Sequence, residues 1–64
     1  MKETELWARM GEHLGQVYSR VWASQYNLSE LGGRTVVEAL ADGVPCKTIW
    51  RAVWGALELP ARDR

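Results

Sequence analysis

The fold is decided by the stretch TVVEALADGVPCKTIWRAVWGALE, residues 35–58, which contains the signals for two helices and the turn between them. Thr35 and Glu38 match a capping box, in which each side chain accepts a hydrogen bond from the other residue's backbone N–H. Gly43 is placed as the left-handed residue that ends the first helix, and Pro45 as the first residue of the second. The spacing predicts a short helix, a tight turn and a longer helix, which are the proportions of a helix-turn-helix.

The N-terminal part of the chain has an amphipathic pattern. Its apolar residues recur at intervals of three and four positions: Leu6, Met10, Leu14, Val17 and Val21. Thr4 is the predicted N-cap of this helical segment. Gly11 and Gly15 each weaken a continuous helix by about 1 kcal/mol relative to alanine, and a kink is expected near Gly15. The pattern is compatible with one helix or with two.

The predicted fold class is all-α: one compact domain over residues 1–64, with three or four helices and the last two arranged as a helix-turn-helix. The predicted segments are a helix or kinked helix pair over about 4–26, a connector over 27–34, helices over about 35–42 and 45–58, and a frayed tail over 61–64. The predicted core is Leu6, Met10, Leu14, Val17, Val21, Val36, Leu40, Ile49, Trp50, Val53 and Leu57, and Leu28 and Leu31 of the connector are expected to reach it.

The composition indicates where in the cell the protein is expected and which type of binding partner it favours. Basic and acidic residues balance to a formal net charge of zero, whereas dedicated nucleic-acid-binding domains are usually basic. Cys46 is the only cysteine, so an intrachain disulfide is excluded and a reducing cytoplasm is expected. There is no uninterrupted apolar run of about 20 residues, and a membrane span is not expected.

The residues that could carry chemistry are few. His13 and Cys46 are the only members of their types, whereas a zinc site needs three or four clustered ligands. Cys46 falls on the apolar face of the last helix, where a buried thiol is inert. Glu38 and Asp42 lie one helical turn apart, but the capping box already employs Glu38. We therefore expect no enzyme activity, no metal and no cofactor.

The candidate site is the outer face of the last helix, formed by Lys47, Thr48 and Arg51 with Trp54 at its edge. Tryptophan and arginine are enriched at protein interfaces, which favours a non-catalytic module that binds another protein. The alternative is a helix-turn-helix that binds DNA, with Lys47, Thr48 and Arg51 on phosphates and base edges. Trp22 and Trp54 are expected to be half exposed at the rims of their apolar faces. A homodimer would favour the DNA alternative, because paired half-sites strengthen binding by a small module.

Three short motifs carry a family resemblance: LGGRTV at residues 31–36, EAL at 38–40 and IWRAV at 49–53. With the N-terminal aromatic pattern and Leu59-Pro60, they resemble a small actinobacterial family known as domain of unknown function 3046 over essentially the whole chain. A smaller residue is usual in that family where Trp54 stands, so the resemblance implies no shared role for this tryptophan. The resemblance implies a short cytoplasmic protein encoded near the recombinase of DNA repair, which links the DNA-binding alternative to repair or recombination.

Overall fold

The computed structural model describes residues 1–60, and within this range the chain is an all-α bundle, as predicted. Its elements are α1 (Glu3–Leu14), α2 (Gln16–Gln25), a short 3-10 helix (Ser29–Leu31), α3 (Val36–Ala41) and α4 (Cys46–Ala56). The predicted frayed tail lies outside the described residues. No helix within the described range combines the length and the apolar character that a membrane crossing requires.

The N-terminal segment is two helices, because Gly15 interrupts it. This residue has φ 86° and ψ 144°, a backbone conformation that few residues other than glycine adopt. The prediction of Thr4 as N-cap is wrong: α1 begins at Glu3 after Lys2, without a side-chain cap. The earlier start places Glu3 and Glu5 in the first turn, where the helix dipole favours negative charge.

The break at Gly15 changes which face of α2 is buried. Val17 and Val21 were predicted in the core, but their exposed fractions are 83% and 44%. The inner face consists instead of Ser19, Trp22 and Ala23, so the expectation of a half-exposed Trp22 is also wrong. A straight helix would have carried the apolar face of α1 through α2. The chain bends at Gly15 and turns another face of α2 inward.

The connector after α2 is a compact loop tied down by backbone hydrogen bonds. Leu28 N–H donates to the Arg34 carbonyl at 3.0 Å, and the Asn27 side-chain amide donates to the Gly33 carbonyl at 2.6 Å. Leu28 and Leu31 are buried, as expected from the sequence. The loop thus contributes two apolar side chains to the core and sets the start of α3.

α3 has the predicted capping box at its N-terminus. Glu38 N–H donates to Thr35 Oγ1 at 3.1 Å, and Thr35 N–H donates to Glu38 Oε1 at 2.9 Å. At the other end Gly43 has φ 80°, which confirms the left-handed turn residue. Pro45 was predicted as the first residue of the next helix, but it is the N-cap and α4 begins at Cys46. The two helices are therefore separated by a short, fully structured turn.

α4 occupies the centre of the core. Its inner face is formed by Ile49, Trp50, Ala52 and Val53, all of which are almost fully buried. They pack with Leu6, Met10, Trp22, Ala23, Leu28, Leu31, Val36 and Ala39. Leu14, Leu40 and Leu57 were predicted in the core and are only partly buried at its edge, as is Cys46. Because the inner face is so completely enclosed, α4 is firmly held and its outer face is presented in a fixed orientation.

Thr35→Ala is expected to lower the melting temperature. Thr35 is 6% exposed, and its hydroxyl accepts the hydrogen bond that closes the first turn of α3. Losing such a cap destabilises a protein by about 1 kcal/mol. In a domain of this size that corresponds to a fall of roughly 4–8 °C, measurable by circular dichroism. Ser24→Ala, which removes an exposed hydroxyl bonded to the Val21 carbonyl, should change the melting temperature little. Equal melting temperatures for the two variants would contradict the role of the cap.

Candidate functional site

The outer face of α4 carries the polar residues predicted as the site. Lys47, Thr48 and Arg51 are all exposed. They lie at spacings of one, three and four positions, so a single side of the helix displays them together. Trp54 follows Arg51 by three positions and is partly buried at the edge of the core. These four residues are called the α4 surface below.

Trp54 is fixed by a hydrogen bond. Its Nε1–H donates to the Pro60 carbonyl at 2.8 Å, so the polar edge of the ring is already satisfied within the chain. The part of the indole ring that stays accessible therefore offers apolar contact area. Since the ring is held in one orientation, little conformational entropy would be lost if a partner packed against it.

The two basic residues of the α4 surface differ from Arg9 and Arg34, which both make ion pairs. Arg9 pairs with Glu5 at 3.5 Å, and Arg34 pairs with Asp42 at 2.8 Å. Lys47 and Arg51 make no ion pair with any residue in 1–60. Neither positive charge therefore has a carboxylate within ion-pair distance in that range, which is compatible with an anionic partner.

The turn before α4 positions the N-terminal end of this surface. Val44 N–H donates to the Ala39 carbonyl at 3.0 Å, which closes the end of α3. α4 then begins without a side-chain cap, so the N–H groups of its first turn lie beside Lys47 and Thr48. Helix N-termini attract negative charge, and this adds to the positive character of the surface.

The acidic residues close to the turn are already engaged. Glu38 accepts the Thr35 N–H of the capping box, and Asp42 at the C-terminal end of α3 pairs with Arg34, which precedes that helix. The carboxylate pair suggested by their spacing in the sequence is therefore a structural feature of α3.

His13 and Cys46 are placed in unrelated settings. The His13 ring stacks on Trp50 with its centroid 6.2 Å away, and Cys46 is partly buried at the start of α4. In the part of the chain that the structure describes, no three His, Cys, Asp or Glu residues are grouped so that they could hold a metal ion.

The structure also shows an exposed apolar surface that includes two residues predicted in the core, Val17 and Val21. Val17, Tyr18 and Val21 are exposed on α2. Beside them a groove runs between α1 and α2, and its lining includes Trp7 and Gly11. Gly15 was the feature of the sequence that could have indicated this surface. A helix break at this residue allows α2 to turn a different face toward the core, which leaves the apolar face exposed.

Fold and surfaces together define a small all-α domain with a basic patch on one helix and an apolar face on two others. The chain belongs to the family described as protein of unknown function DUF3046, whose model matches residues 1–62. No curated protein and no solved structure matches the chain.

Proposed function

We propose that this domain is a non-catalytic module that binds an acidic segment of another protein through the α4 surface. The observation that carries the proposal is the pair Lys47 and Arg51: both are exposed on a firmly packed helix, and neither makes an ion pair within residues 1–60. Trp54 supports it, because the ring sits one turn from Arg51 with its orientation fixed by Pro60. Charges of this kind at an interface steer association and set specificity.

Lys47→Gln with Arg51→Gln tests the proposal. The chain is immobilised and incubated with a lysate of its own source organism, and the retained proteins are compared between variants by mass spectrometry. We expect at least one protein that the parent chain retains at low salt and that the double glutamine variant loses. Raising the salt concentration should release the same protein, because the contacts are exposed charge pairs.

The matched control is Lys47→Arg with Arg51→Lys, which keeps both charges at the same positions. This variant should retain the partner with an affinity close to that of the parent chain. If the parent retains no protein, or if the glutamine variant retains the same proteins as the parent, the proposal is wrong. Both side chains are exposed, so neither pair of substitutions should disturb folding.

DNA is the second candidate partner, because the turn geometry also supports it. Gly43 separates α3 from α4 in the manner of a helix-turn-helix, and Lys47, Thr48 and Arg51 project from the first half of α4. The zero formal charge of the chain favours the protein partner.

Fluorescence anisotropy with a labelled duplex distinguishes the two candidates. If α4 binds DNA, affinity should fall steeply between two salt concentrations, and Arg51→Gln should weaken it. An absence of binding at micromolar protein and low salt would eliminate the DNA candidate and leave the protein partner in place. Any link to DNA repair would then operate through that protein partner.

A further inference from the structure

Two valines on α2 are exposed to solvent, and this exposure does not stabilise the isolated domain. Val17 and Val21 are separated by one helical turn, so their side chains form a continuous ridge. Branched side chains lose rotamer freedom in a helix, and alanine or a charged residue would suit an exposed position better. Together with the exposed Tyr18 beside them, the two valines form an apolar patch of the kind that can become buried in an assembly.

The ridge forms the α2 wall of a groove between α1 and α2, because Val17 and Val21 both line that groove. Ala8 and Gly11 line it from α1, and Trp7 forms part of the same wall. Ala8 is small and exposed, so a helix from another molecule can approach α1 closely at this position, whereas the Gln16 side chain of α2 lies over Gly11. The ridge and the groove lie on one side of the molecule, which we call the α1–α2 face. A surface that has both shapes side by side can fit a second copy of itself.

The α1–α2 face carries both an acidic and a basic residue, so the faces of two copies have complementary charges. Glu12 lines the groove from α1 and Arg20 lines it from α2. The Arg20 guanidinium lies over the Trp7 ring, 4.5 Å from the centroid, so its charge is held at the groove. Glu12 makes no ion pair with another residue in the described range. A two-fold axis through the face would bring Glu12 of each copy to Arg20 of the other, and the pairing would occur twice.

We propose that two copies of this chain associate through their α1–α2 faces about a two-fold axis. Val17 and Val21 of each copy lie in the groove of the other, and Glu12 pairs with Arg20 across the interface. The zero formal charge of the chain means that no net repulsion opposes the approach. A typical stable interface covers about 800 Å² per partner, which is about a fifth of the 4211 Å² of surface. The whole α1–α2 face is therefore involved, and not the ridge alone.

This dimer leaves the α4 surface free, so it is independent of the proposed function. Arg9 and His13 of α1 face Trp50 of α4, whereas Trp7 and Gly11 line the groove. At about 100° per residue these two pairs lie on different sides of α1. A dimer would thus present two copies of the α4 surface.

Sedimentation equilibrium over a range of concentrations tests the proposal with Val17→Glu as the disrupting variant. The parent chain should show a monomer–dimer equilibrium, and Val17→Glu should raise the dimer dissociation constant by at least about tenfold, because it places an unpaired charge in the groove. Val37→Glu introduces the same charge at an exposed valine of α3 and should leave the equilibrium unchanged. A parent chain that stays monomeric at millimolar concentration, or a Val17→Glu variant that dimerises like the parent, would overturn the proposal.

The two-fold arrangement itself is tested by exchanging charges. Glu12→Arg alone and Arg20→Glu alone should each dimerise less than the parent, because like charges then meet twice. An equal mixture of the two variants should recover dimerisation, since each contact between unlike copies again joins an acid to a base. Circular dichroism of each variant establishes that it is folded. A mixture that associates no better than either variant alone would exclude the Glu12–Arg20 pairing and the proposed geometry with it.

Discussion

Trp50→Ala is expected to abolish the cooperative thermal transition of this domain. Trp50 is 1% exposed and is the largest of the fully buried side chains, packed at the centre of the core on α4. Truncating a buried tryptophan to alanine destabilises a protein by about 3–5 kcal/mol. A chain of 64 residues has a total stability of about 3–10 kcal/mol. Near-ultraviolet circular dichroism should show the loss of fixed tertiary structure around the remaining tryptophans.

Val37→Ala serves as the control for Trp50→Ala. Val37 is 44% exposed on α3, and alanine is the better helix former, so its melting curve should resemble that of the parent chain. Trp50→Phe keeps an aromatic ring in the core and should retain a cooperative transition, at a lower temperature than the parent. A cooperative transition in Trp50→Ala at the parent temperature would contradict the central position of this residue.

Gly43→Val is expected to produce the second largest effect, a fall of roughly 4–24 °C in melting temperature. Gly43 has φ 80°, which a β-branched residue adopts only at a cost of about 1–3 kcal/mol. A Cβ atom at this position would meet no atom within 4 Å. The loss therefore arises from the backbone and not from a steric clash, and thermal unfolding followed by circular dichroism measures it.

Two further substitutions isolate the backbone effect at Gly43. Gly43→Asn should destabilise less than valine, because asparagine tolerates the left-handed region. Gly55→Ala lies within α4, and its added Cβ would lie 3.3 Å from Glu30 Oε1, the end of a flexible side chain that can move aside. Its melting temperature should change little. If Gly43→Val melts like Gly55→Ala, the left-handed turn before α4 is not required.

Features that depend on neighbouring residues could be predicted from the sequence. The capping box of Thr35 and Glu38 and the turn at Gly43 both follow from the chemistry of a few consecutive residues. The all-α class follows from helical periodicity over most of the chain. These features need no knowledge of how distant segments pack, because local hydrogen bonds and backbone conformation determine them.

The inner face of α2 could not be predicted in the same way. The apolar pattern continues in phase across Gly15, so Val17 and Val21 were expected in the core, yet they are exposed. Trp22 and Ser19 take the inward positions because the bend at Gly15 reorients α2. The direction of a bend is set by what α2 packs against, which includes α3 beyond the connector. Periodicity alone carries no information about such a long-range contact.

The α4 surface was partly predictable. Exposure of Lys47, Thr48 and Arg51 follows from the helical phase of Ile49, Trp50 and Val53. The hydrogen bond from Trp54 to Pro60 does not, because it joins the helix to the chain that follows it. Which partner occupies this surface depends on a second molecule, and the chain itself supplies only the charge and shape that such a partner must match.

Site-specific photocrosslinking in cells of the source organism tests the central claim most directly. A photoreactive amino acid replaces Thr48 on the α4 surface in one variant and Gln25, an exposed residue of α2, in another. After irradiation we expect a covalent adduct to a distinct protein from position 48, absent from position 25 and lost when Lys47 and Arg51 are also changed to glutamine. No adduct from position 48, or the same adduct from both positions, would show that the α4 surface does not bind the partner.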